Sequence, residues 1–191
     1  MRRSFEALVA NYAGAQATLH YVNAALTIDE PGLRTIYAAN RCDTRYVGSD
    51  RMPKGCIDGW DESSLITSLN ESFVEAFMGW LTEGGADDVS ATDVVSGHVV
   101  AALTWGGLLD AHGVSALGFL IVDAETQDCR LVRAFPFDRV VPDVIVFEVE
   151  HCAAGEYDAL HRFLVDDLGY AAAPGFVGHA PEDACYVQPP R

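Results

Sequence analysis

The sequence predicts an α/β domain built on a mainly parallel sheet. Two runs carry that expectation: FLIVDAETQD (119–128) and PDVIVFEVEH (142–151) are apolar, largely β-branched stretches that end abruptly in carboxylates. Strands buried on both faces of a parallel sheet have this pattern. A short helical stretch lies between the runs, so they are expected to be parallel neighbours joined by a crossover. A third observation is the alternation of helical and extended patterns along the whole chain. This arrangement brings Asp123 and Glu125 beside Glu148, Glu150 and His151 at the carboxyl edge of one sheet, where open α/β folds bind ligands.

The elements follow in order. Phe5, Leu8, Val9 and Tyr12 fall at i, i+3, i+4 and i+7 between Ser4, which can cap, and Gly14, which can terminate, so a first helix is expected there rather than a transit peptide. TLHYVNAAL (18–26) reads as a strand, DEPG (29–32) as a turn, and LRTIYAA (33–39) as the hairpin partner of that strand. Residues 40–62 show no sustained period and read as a long loop. From Ser63 or Ser64 to Thr82, the row Leu65, Leu69, Phe73, Phe77 and Leu81 predicts the longest helix, ended by Gly84 and Gly85. HVVAAL (98–103) is a strand, and Thr104 caps a short helix closed by Gly113. After the two acid-tipped strands comes a helix over 156–168 that Gly169 stops, then short strands near 170–173 and 184–188.

With 191 residues, half of them apolar, the chain fits a single domain, 1–191. Twenty-eight acidic against twelve basic residues give a net charge of −16, which repels a phosphate backbone, so nucleic acid is not an expected partner. No apolar run approaches the ~20 residues that span a bilayer, and no secretory segment is recognisable. Five cysteines, Cys42, Cys56, Cys129, Cys152 and Cys185, make an odd set without close pairs, which predicts reduced thiols and a cytoplasmic protein.

The ordered set FEALVANYAG, YVNAAL, LTWGGLLDAHGV, FLIVDAETQD, FPFDRVVPDVIVFEVEH with EYDALHRFLVDDLGY, and EDACYVQ resembles the FkbM-type methyltransferases, which depend on S-adenosylmethionine. In that family an apolar strand ends in Asp-x-Glu-Gly, and a helix, a Phe-Asp stretch, a proline turn and a second apolar strand ending in Glu follow. Asp123, Glu125, Phe137, Asp138, Pro142 and Glu148 stand at those places. The resemblance implies a Rossmann-like class I methyltransferase sheet, truncated at the amino end, because Met1 falls just before the family's second helix. The first strand, first helix and second strand are then absent, and no G-x-G-x-x-G turn occurs in 1–191. Thr126 stands where the family has glycine, placing a β-branched residue at a tight strand-to-helix turn.

The resemblance further implies S-adenosylmethionine as cofactor, a small-molecule or sugar oxygen as methyl acceptor, and a pocket with Asn23, Ala24 and Asp123 on the cofactor. Asp123, Glu125, Glu148 and His151 are the implied catalytic set, with His151 suited to proton transfer by its intrinsic pKa. The alternative is a catalytically silent remnant that serves as a binding or assembly module, for which a homodimer covering exposed strand edges is expected. Carboxylates on adjacent strand ends suit Mg²⁺ or Ca²⁺, but no diagnostic ligand spacing, C-x-x-C or H-x-x-x-H occurs, and no metal is expected. His20, His98, His112, His161 and His179 read as isolated structural histidines. Arg41, Arg45 and Arg51 read as a solvated basic patch.

Overall fold

The computed structural model describes residues 20, 22–39, 67–82, 95–173 and 183–190. The helix expected over 4–14 and the loop over 40–62 lie outside these residues, as do Arg41, Arg45, Arg51 and His179. The elements are β1 (Ala25–Leu26), β2 (Gly32–Ala39), β3 (Thr67–Ser68), α1 (Glu71–Thr82), β4 (Val95–Leu103), α2 (Trp105–His112) and β5 (Phe119–Val122). There follow α3 (Asp128–Arg133), β6 (Val144–Glu148), α4 (Glu156–Arg162), which continues as a π-helical turn (Phe163–Asp167), then β7 (Ala171–Ala172) and β8 (Asp183–Val187).

The chain is α/β; among the described residues two four-stranded sheets are ordered β1-β4-β2-β3 and β5-β6-β8-β7. β5 and β6 pair in parallel with Phe119 opposite Val144 and Val122 opposite Phe147, so their acid tips leave the sheet at one edge, as the sequence predicts. The expectation of a mainly parallel sheet does not hold. Among the described residues β1–β4 and β5–β6 are parallel, whereas β2–β3, β2–β4, β6–β8 and β7–β8 are antiparallel, so both sheets are mixed. Periodicity reports which faces are buried and not which way a neighbouring strand runs.

The expected hairpin of 18–26 with 33–39 is likewise corrected. β4 lies between β1 and β2: Ala102 is opposite Ala25 on one side and Gly32 on the other. Within 22–26 only Ala25 and Leu26 form a strand. The helix expected from Ser63 or Ser64 begins at Glu71, because Thr67 and Ser68 pair with β2 and Asn70 caps the helix, its Oδ1 accepting from the Phe73 N–H at 3.3 Å. α2 matches its expected limits. Thr104 Oγ1 accepts from the Gly107 N–H at 3.2 Å, and Gly113 closes the helix at φ 60°.

The main core fills the second sheet and its helices. Ile145, Phe147, Leu160, Leu164 and Tyr186 are almost fully buried, and the Phe147 and Tyr186 rings stack at 6.0 Å. Trp105 on α2 joins this core through Phe135 and donates its indole N–H to the Leu131 carbonyl at 2.8 Å. No helix among the described residues is long and apolar enough to cross a membrane.

Candidate functional site

The acid tips of β5 and β6 open onto one corner of the molecule. Asp123 follows the last residue of β5, and the chain then turns through Glu125 (φ 45°) and Thr126 (φ 87°) into α3. Positive φ at two successive residues without glycine is an unusual turn, and at the β-branched Thr126 it is strained. Thr126 is also the position where the resemblance places glycine. Neighbouring groups hold the turn: the Ser68 hydroxyl of β3 donates to the Glu125 carbonyl at 3.0 Å, and Asp128 Oδ1 accepts from the Ala124 N–H at 2.9 Å. Asp128 is 2% exposed, so this bond is shielded from water.

Across the edge, β6 ends at Glu148 and the chain bends through Glu150 and His151 to Cys152. Cys152 is disulfide-bonded to Cys129, the second residue of α3, with the two Cα atoms 5.7 Å apart. The expectation of reduced thiols is therefore wrong for this pair. Parallel neighbouring strands deliver both cysteines to one edge, within the separation a bridge needs. Each sits next to a residue of the corner, Cys129 after Asp128 and Cys152 after His151. Cys185 is a buried free thiol. Cys42 and Cys56 lie outside the described residues.

Glu125, Glu148 and His151 converge. One donor atom from each lies within 4.8 Å of the others, and His151 Nε2 is 3.9 Å from Glu125 Oε2. Phe73 of α1 packs edge-on against the His151 ring at 5.0 Å. Burial pushes the Glu148 carboxyl up to about 7; the His151 charge opposes this, and the charges of Glu125, Asp128 and Asp123 add to it. Burial also raises Glu125, with Asp123 adding and His151 opposing. It raises Asp128 too, against the lowering effect of the backbone N–H of Ala124. Glu125, Asp128 and Glu148 thus share a partly desolvated corner, and the charge of His151 acts on all three.

Beside this cluster lies a cavity of about 380 Å³ between the two sheets. Asp123, Ala124 and Gln127 form one wall, Ala24, Ala25 and Leu26 the other, with Trp105 and Ser68 completing it. Its size is within the range of about 300–1,000 Å³ usual for small-molecule sites. The structure therefore brings Asp123 and Ala24 to one cavity, and Glu125, Glu148 and His151 to one cluster. Asn23 is exposed and outside the cavity lining, and Glu150 is exposed beside the cluster.

Asp128, Ser68, Phe73 and the disulfide are features of the corner that the sequence reading did not single out. An acid at the first turn of a helix directly after an acid-tipped strand is a usable signal for Asp128. Ser68 and Phe73 arrive from a distant segment and left no local mark. Comparisons with protein-family models, with curated proteins and with solved structures find no match.

Proposed function

We propose that the chain is a methyltransferase of the FkbM type, with the distal part of a Rossmann-like sheet, and that it moves a methyl group from S-adenosylmethionine to an oxygen of a small molecule or sugar. The observation that carries this reading is the cavity bounded by Asp123 and Ala24 at the carboxyl end of β5, the strand that pairs in parallel with β6. Ligands of open α/β sheets occupy that edge, and a carboxylate at a strand tip is suited to ribose hydroxyls. Asp123 and the Ala24–Leu26 wall would hold the donor nucleoside, whose sulfonium would supply the methyl group, and Glu125, Glu148 and His151 would face the acceptor oxygen and take its proton. The protein's part is to hold the two reactants in line and close together.

A second reading, a binding or assembly module without turnover, draws on Thr126 at φ 87° in place of glycine, and on edge strand β5, where Phe119 and Ile121 are 65% and 69% exposed. Calorimetry with S-adenosylmethionine or S-adenosylhomocysteine separates the two. The enzyme reading expects one saturable site, weakened about tenfold or more by Asp123→Asn through a lost charged hydrogen bond and abolished by Ala24→Trp, which fills the cavity. Absence of heat together with a concentration-dependent dimer supports the module.

A further inference from the structure

We propose that Glu125, Glu148 and His151 form a binding site for one divalent transition-metal ion, with Mn²⁺ or Zn²⁺ chemistry, at the corner where β5 and β6 end. This inference does not rest on the methyl-donor reading, and it reverses the expectation from spacing that no metal is held. Sequence spacing is uninformative here, because the three ligands come from two strand tips brought together by parallel pairing.

The geometry suits a shared ligand set for one ion. One donor atom from each residue lies within 4.8 Å of the other two, close enough for a single ion at about 2.0–2.2 Å from each after small side-chain adjustments. His151 Nε2 and Glu125 Oε2 are 3.9 Å apart, beyond hydrogen-bond distance, so they do not satisfy each other. Glu148 Oε2 is shut off from solvent and has no hydrogen-bond partner. A sequestered carboxylate oxygen without a donor is a costly arrangement, and a cation relieves it.

Asp128 supplies a separate observation. It is 2% exposed, its Oδ2 also lacks a partner, and its charge acts on both Glu125 and Glu148 while it feels that of His151. Its other oxygen fixes the turn that presents Glu125. Asp128 is thus a buried anion set against the cluster, in the place of an outer partner that orients ligands and balances the charge of the ion. An imidazole with two carboxylates favours Mn²⁺ or Zn²⁺ over Mg²⁺ and Ca²⁺, which prefer oxygen alone. Cys152 and Cys129 are bonded to each other, so their sulfurs do not compete as thiolates.

The test is a Mn²⁺ titration of the full chain, without a histidine tag and after chelator treatment, in about 0.15 M salt to screen surface charge, with free Mn²⁺ read by electron paramagnetic resonance. The expected result is one saturable site per chain, weakened at least tenfold by Glu148→Gln and by His151→Gln. Glu156→Gln, which alters an acid paired with Arg130 at 3.9 Å outside the cluster, leaves it unchanged. Circular dichroism checks folding, and Glu125→Gln replaces any variant that does not fold. Absence of saturable binding, or weak binding shared equally by wild type and cluster variants, overturns the proposal. The methyl-donor titration, run without metal, is read separately.

Discussion

The two sheets are built on different terms. In the second, β5 and β6 turn Leu120, Val122, Ile145 and Phe147 into a core closed by α3, α4 and β8, and the buried residues form one continuous cluster. In the first, the long β2–β4 ladder buries Ile36 and Ala102 but leaves Leu33 and Val99 70% and 68% exposed. Stability is therefore concentrated in the second sheet, and the corner that joins it to the first through Ser68 and Phe73 is where polar and strained groups accumulate. Rigid packing on one side allows unsatisfied carboxylates and an unfavourable turn to persist on the other.

The contrast is broken most severely from inside the second sheet. Phe147→Ala removes the ring stacked on Tyr186 and is expected to cost about 3–5 kcal/mol in urea denaturation. Replacing Cys129 and Cys152 together with serine releases a loop closed across 23 residues and is expected to cost about 3 kcal/mol. The loss is to be read against the oxidised wild type; an unchanged urea midpoint under oxidising conditions would contradict the bridge.

Smaller effects sharpen the picture of the corner. Thr126→Gly relieves the positive φ and is expected to stabilise by about 1 kcal/mol, whereas Gly113→Ala, at φ 60°, destabilises by a similar amount. Equal losses from both substitutions would show that the turn after β5 is not strained. In chelator-treated protein, stability is expected to fall as pH rises from about 4.5 to about 7, because Glu148 binds its proton more tightly folded than unfolded. Glu148→Gln flattens that slope in thermal melts, and a wild-type slope of opposite sign would refute the assignment. The least effect belongs to the first sheet: Val99→Thr is expected to change stability by less than about 0.5 kcal/mol.

The sequence disclosed those parts of the molecule in which burial and local chemistry coincide. Apolar runs ending in acids gave β5 and β6, their parallel pairing and the convergence of Glu125, Glu148 and His151. Thr104 and Gly113 marked both ends of α2. Strand direction in the first sheet was not legible, since the runs LRTIYAA and HVVAAL carry no mark of which way a neighbouring strand runs. The disulfide was hidden for a related reason: Cys129 and Cys152 are far apart in sequence and become neighbours only once β5 and β6 are paired. Thr126 stood out only against the family pattern, and its φ shows the turn to be one that favours glycine.

The central claim is that the carboxyl edge of β5 and β6 is the ligand-binding edge of this chain. Titrating ¹⁵N-labelled protein with S-adenosylhomocysteine and following its amide resonances tests it directly. The account predicts saturable shifts at Ala24–Leu26 and Asp123–Gln127. Shifts confined to the opposite end of the sheet, around Asp143 and Gln188, or no saturable shifts at all, would contradict it.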